Sequence, residues 1–208
     1  MRIMFFGDSN TWGYDPETSL RFTNRYTQLI QSELNDDVII EEGLNGRTLC
    51  QNDPYDPDRN GCLDIKRCIK SHLPLDILVI MLGTNDAKRM YNTNVYSLEK
   101  GMNALLDKVF DPSLYKKGFD IPKVLIVCPP RMNPSYIKDP KTFANFGKEG
   151  FNMIEEAKDY LAEVAKSYGV DFVDTKIMAG DYDGLHLQSK EHKELAEQLI
   201  IKIRGMKS

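Results

Sequence analysis

A three-layer α/β/α sandwich around a five-stranded parallel sheet is the fold class predicted for this 208-residue chain. The prediction rests on two observations. Five short runs rich in β-branched or aromatic residues are apolar on both faces, and the segments between them carry apolar residues at helical spacing. Strands buried on both faces and separated by amphipathic helices imply a parallel sheet covered on each side, with right-handed crossovers.

In chain order, the first predicted strand is 2–6, followed by a helical stripe of Tyr26, Leu29, Ile30 and Leu34. Strands at 38–42 and 77–82 come next, then a stripe of Leu98, Met102, Leu105, Leu106 and Val109. A fourth strand at 123–128 leads to a long loop, 131–150, expected to wall or roof a pocket or to touch another subunit. The stripe Ile154, Ala157, Leu161, Val164 and Ala165 follows, then a fifth strand at 170–174 and a last helix marked by Leu195, Leu199, Ile200 and Ile203. No repeat or linker interrupts the pattern, so the whole chain, 1–208, is read as one domain.

Composition bounds the function. With 41% hydrophobic and 28% charged residues, the chain is expected to fold rather than remain disordered. A net charge of −4 gives no electrostatic footprint for nucleic acid. No apolar run approaches a membrane span, and the apolar run near the start is too short for a secretory signal. A cytoplasmic protein with no membrane partner is therefore expected. Cys50, Cys62, Cys68 and Cys128 form no C-x-x-C pair and match no common zinc spacing, so free, mostly buried thiols and no metal site are expected.

Open α/β sheets place their sites at the carboxyl ends of strands. There the sequence keeps its polar, glycine-containing segments: Gly7-Asp8-Ser9-Asn10-Thr11-Trp12-Gly13, Gly43-Leu44-Asn45-Gly46-Arg47-Thr48, Gly83-Thr84-Asn85-Asp86 and Asp183-Gly184-Leu185-His186. A serine hydroxyl needs a general base to become a useful nucleophile. Of the three histidines, His72 is read as an element-end residue and His192 as a solvated helix-face residue. His186 lies on a post-strand loop three residues after Asp183, a spacing that brings a carboxylate to the imidazole. Ser9, His186 and Asp183 thus supply nucleophile, base and orienter. The Ser9 and Gly46 backbone N–H groups and the Asn85 amide are candidate oxyanion donors.

Taken alone, each segment also reads as a turn or helix cap. Together and in this order they resemble the SGNH hydrolases, the GDSL esterase/lipase family. The resemblance implies a flavodoxin-like fold, Ser9 as nucleophile, His186 as base oriented by Asp183, and an oxyanion hole from Ser9, Gly46 and Asn85. Asp8 would hold the nucleophile loop by hydrogen bonds to backbone N–H groups. Gly-Asp-Ser-x-Thr-Trp-Gly with Gly-x-Asn-Gly-Arg-Thr further resembles the arylesterase and acyltransferase branch, which implies short acyl esters and a homo-oligomer.

Three more residues are expected at the substrate. Asn10 stands where leucine is commoner in the family and makes the floor beside Ser9 more polar. Trp12 is read as a wall of the acyl pocket. Arg47 anchors either a ligand carboxylate or, by preference, a loop carboxylate such as Asp15. The expected activity is hydrolysis of short carboxylic esters through an acyl-enzyme on Ser9, with acyl transfer to an alcohol as a side reaction and no cofactor. Two rivals remain: a deacetylase of sugars or other small molecules using the same triad, and a non-catalytic binder of small ligands or phosphate. Against the last, the first loop lacks both G-x-G-x-x-G and the lysine-bearing phosphate loop.

Overall fold

The computed structural model describes residues 1–116 and 118–207. Strands β1 (Arg2–Gly7), β2 (Val38–Gly43), β3 (Ile77–Met81), β4 (Lys123–Val127) and β5 (Asp171–Val173) form one sheet in the order β2-β1-β3-β4-β5. All four pairings are parallel, with Phe6 opposite Glu42 on one side and Ile80 on the other. The chain therefore starts in the middle of the sheet, moves to one edge and then reverses. That order was not legible from periodicity.

Side chains alternate across the sheet, and the alternation divides the core in two. Met4, Phe6, Leu78, Ile80, Val124 and Ile126 face α3 (Gly61–His72), α4 (Val95–Val109) and α5 (Pro140–Tyr168). Ile3, Phe5, Ile77, Val79, Leu125 and Val127 face α2 (Tyr26–Glu33) and α6 (Ser189–Met206). Each predicted stripe lies on one of these buried faces.

The helices start and stop for local reasons. Asn94 and Ser97 form a reciprocal capping box at α4, and Asp139 accepts the Thr142 N–H at the start of α5. Gly169, at φ 64°, ends α5 in the left-handed conformation that suits glycine at this position.

Three sequence expectations need correction. The 131–150 segment is largely not loop: a 3₁₀ turn, Pro134–Lys138, leads into α5, which begins at Pro140 and is broken at Gly147, where φ is 56° and ψ −166°. Secondly, Cys50 and Cys62 are joined by a disulfide, whereas Cys68 and Cys128 are free and buried. The bonds Gly61 N–H to Thr48 O and Cys62 N–H to Leu49 O lay the start of α3 beside 48–50. That places the two Cα atoms 5.0 Å apart, a proximity no spacing rule shows.

Thirdly, His192 is not solvated. It has no exposed surface, stacks on Tyr26, and accepts the Tyr26 N–H at Nδ1. It belongs to the same stripe as Leu195, Leu199 and Ile203, on the face of α6 that packs into the core.

Burial, reinforced by the positive charge of Arg25, pushes His192 down to about 4. The unfolded chain therefore takes up this proton first as pH falls. No penalty exists above about pH 6.5; below it, stability is progressively lost until the folded residue protonates near 4. Relative to His192→Gln, the protein should lose about 3 kcal/mol between pH 7 and pH 4, read from urea unfolding midpoints across that range. Parallel pH curves for the two proteins would show that His192 is not the buried neutral base described.

Candidate active site

The site is built where β1, β2 and β3 end. β1 stops at Gly7, and Asp8 caps the four-residue helix α1 (Ser9–Trp12) by accepting the Asn10 N–H at 2.9 Å. The helix lies against β2 so closely that a Cβ on Gly43 would fall 2.3 Å from Trp12 N. Glycine at the end of β2 is therefore required by close approach. Ser9 is the first residue of α1, so its N–H has no intrahelical acceptor and points out of the helix start.

After β5 the chain returns to this edge through Asp183 and His186. Asp183 Oδ1 accepts the N–H groups of Leu185 and His186 at 2.9 and 3.0 Å. Its Oδ2 lies 2.6 Å from His186 Nδ1, and His186 Nε2 lies 3.0 Å from Ser9 Oγ. Burial pushes the Asp183 carboxyl up, but the His186 bond and charge and the two backbone donors outweigh it, leaving Asp183 below the ordinary carboxylate range. An ionised Asp183 only accepts. It thereby assigns the proton to Nδ1 and leaves Nε2 to accept from the Ser9 hydroxyl.

The opposite wall comes from the loops after β2 and β3. Leu44 to Arg47 is a turn closed by Arg47 N–H to Leu44 O, with Gly46 at φ 83° in its third position. Any side chain there is strained, and a Cβ would also meet Arg59 Nε at 2.7 Å. Asn85 opens a 3₁₀ turn and donates from Nδ2 to Arg47 O at 3.1 Å, which ties the two loops together. Below them, the buried Asp86 accepts the Leu49 N–H at 3.0 Å. Burial pushes its carboxyl up to about 7 against the pull of the Leu49, Asp86 and Cys50 N–H groups.

Ser9, Gly46, Asn85, Asp183 and His186 all line one cavity of about 470 Å³. Tyr14, whose ring centre is 4.8 Å from that of His186, forms one wall. The first turns of α5, before the break at Gly147, contribute Thr142, Asn145 and Phe146.

The three expected substrate contacts lie elsewhere. Asn10 is buried: its Oδ1 accepts the Leu187 N–H at 2.9 Å and its Nδ2 donates to Leu185 O at 3.4 Å. It fastens the serine loop to the histidine loop. Trp12 lies outside the cavity lining, with the Arg21 guanidinium 5.3 Å from its ring centre; Tyr14 takes the place expected of it. Arg47 is buried and paired with Asp64, not Asp15, at 2.6 Å. It also donates to Gly7 O and lies over the Phe6 ring, so it serves the loop and not the cavity.

Other lining residues escaped the sequence reading, among them Lys88, Arg59, Asn45 and Phe146. Lys88 follows Asn85 by three residues on the same segment, a signal present in the sequence. Arg59 and Phe146 come from segments distant in sequence, and no spacing reveals them.

A family model for the GDSL-like lipase/acylhydrolase family matches residues 5–194. Among solved structures, a carbohydrate acetylesterase from Sinorhizobium meliloti superposes with a TM-score of 0.92 at 31% identity, covering 99% of each chain. The aryl esterase of M. smegmatis does so with a TM-score of 0.92 at 32% identity, again over 99% of each chain. A lipase/acylhydrolase from Enterococcus faecalis, at 19% identity and a TM-score of 0.69 over 98% of this chain and 95% of its own, shares the fold. No curated protein matches the chain.

The chain belongs to the GDSL-like lipase/acylhydrolase family, and it is a carboxylic ester hydrolase of the SGNH serine-esterase type. No helix among the described residues is long and apolar enough to cross a membrane.

Asn10→Ala would leave the buried Leu187 N–H without its acceptor, one residue from His186. The variant should lose about 1–3 kcal/mol of stability in urea unfolding. Its kcat should fall more than its KM changes, because the base is displaced while the cavity wall is retained. Unchanged stability would refute the fastening role.

Proposed function

We propose that Ser9 is the nucleophile of an esterase acting on short acyl esters. The observation that carries this reading is the continuous relay Asp183–His186–Ser9 opening onto a cavity that also holds Gly46 and Asn85. His186 Nε2 takes the Ser9 proton as Oγ bonds to the ester carbonyl carbon. The oxyanion so formed is held by the Ser9 and Gly46 N–H groups and by the Asn85 amide. The C–O bond to the alcohol then breaks, His186 delivers its proton to the leaving oxygen, and the acyl group remains on Ser9. Water, deprotonated by His186, attacks the acyl carbon; the bond to Ser9 Oγ breaks, His186 returns the proton to Oγ, and the acid is released. An alcohol in place of water would give acyl transfer.

The lining supports a short acyl group. Phe146, Leu185, Tyr14 and Pro16 supply its main apolar surface, against Asn45, Arg59, Lys88, Asp139, Lys141 and Asn145. Each further CH₂ gains about 0.8 kcal/mol only where apolar wall receives it. The same polar lining favours, as a second reading, a deacetylase of hydrophilic small molecules; the similar Sinorhizobium meliloti protein is a carbohydrate acetylesterase.

The proposal includes a homo-oligomer, supported by the exposed apolar residues Ile137 and Phe143, and tested by light scattering. It also includes a cytoplasmic location. The free thiols Cys68 and Cys128 support that location, and the Cys50–Cys62 disulfide opposes it, since disulfides persist in oxidising compartments.

Hydrolysis of p-nitrophenyl acetate, butyrate and octanoate tests the reaction. Acetate and butyrate should turn over faster than octanoate, and folded Ser9→Ala should release no p-nitrophenol above background. Asp183→Asn should lower kcat by about 10⁴ while leaving the fold intact by circular dichroism. Wild-type rates in a folded Ser9→Ala variant would remove the reading.

A further inference from the structure

The charged groups around the cavity are not all directly paired. Its two lining carboxylates are already engaged: Asp183 by His186 and two backbone N–H groups, Asp139 by the Thr142 N–H at 2.7 Å. Arg59 is neutralised, with NH1 2.8 Å from Asp53 and Nε 3.1 Å from Asp56. Asp53 also accepts from the Tyr55 N–H and the Tyr91 hydroxyl.

Lys88 has no such partner. It is half-buried, lines the cavity three residues after Asn85, and its ammonium makes no hydrogen bond or ion pair with any described residue. A desolvated ammonium without a hydrogen-bonded counter-ion is costly. The cost is visible in its acidity: burial, followed by the positive charge of Arg59, lowers Lys88 from its ordinary value, against the pull of Asp53, Asp8 and Asp86.

We propose that Lys88 holds a carboxylate carried by the substrate, so that the preferred ester is a small monoanion. The inference rests on the esterase reading and narrows its substrate class. One ammonium without a hydrogen-bonded partner matches one carboxylate. A charge-assisted bond made in a site sheltered from water would offset the desolvation of Lys88. Lys141, exposed at the rim, adds positive potential along the approach and is not required for the contact.

The test pairs anionic esters with neutral isosteres. 3-Acetoxybenzoate against 3-acetoxybenzamide places the charge on the leaving group; monomethyl glutarate against methyl 4-carbamoylbutanoate places it on the acyl group. In at least one pair, wild-type kcat/KM should favour the anion by about tenfold or more, chiefly through KM. Lys88→Gln should collapse that ratio towards unity, Lys88→Arg should restore part of it, and added salt should shrink it in the wild type.

No anion preference in either pair would overturn the proposal. So would a Lys88→Gln variant that lowers kcat equally for anionic and neutral esters, since Lys88 would then act on the reacting carbonyl and not on a distant charge. Ser9→Ala assayed beside these variants separates the two readings. Loss of all hydrolysis in that variant keeps the esterase intact however the ratio falls.

Discussion

The Asn10 side chain joins two loops 177 residues apart in the chain, and the site depends on that junction. Its Oδ1 accepts the Leu187 N–H at 2.9 Å, and its Nδ2 donates to Leu185 O. Those are the residues on either side of His186. The Ser9–His186 distance of 3.0 Å is therefore not left to two loops packing independently. It is fixed by an amide on the serine helix that grips the backbone flanking the base. The residue that departs from the commoner leucine thus makes the loops rigid where the sequence reading gave it a polar pocket floor.

A second buried cation organises the other half of the site. Arg47 pairs with Asp64 on α3, donates to Gly7 O at the end of β1, and lies 4.1 Å from the centre of the Phe6 ring. Its own carbonyl accepts from Asn85. One side chain thereby links the ends of β1 and β2 to α3, and one carbonyl brings in the segment after β3. Such a buried pair contributes little net stability compared with apolar packing, but breaking it leaves an uncompensated charge, which holds the loops in one arrangement. The contrast with Lys88 is instructive. Both cations stand beside the same loops, one hydrogen-bonded to Asp64 and to Gly7 O, the other with an ammonium that no described residue hydrogen-bonds.

The roof of the cavity has a different origin. The break at Gly147 turns the first turns of α5 over the site, so that Thr142, Asn145 and Phe146 line it. Arg89 runs over the break, close enough that a Cβ on Gly147 would overlap its guanidinium, and pairs with Glu149 at 3.1 Å. A single uninterrupted helix would not place these side chains at the mouth. The mixed character of the cavity, apolar at Phe146 and Tyr14 but polar around most of its wall, follows from this arrangement and from Arg59 crossing beneath Gly46.

The layers and the five strands were legible from apolar periodicity, and Ser9, Asp183 and His186 stood out as polar residues at strand ends. Apolar periodicity depends only on which faces of an element are buried, and each relay residue sits in a short polar segment at a strand end. Tertiary structure decided what needed a partner from elsewhere in the chain. His192 carries the spacing of Leu195 and Leu199, yet its burial depends on Tyr26 stacking against it from α2. Cys50 and Cys62 pair because the 48–50 segment runs alongside the start of α3. Trp12 stands three residues from Ser9 but faces Arg21, while Tyr14 turns towards His186. The choice of Asp64 over Asp15 for Arg47, and the isolation of Lys88, were settled in the same way. A polar side chain is matched or left unmatched by its neighbours in space, and sequence spacing reports neighbours only within one element.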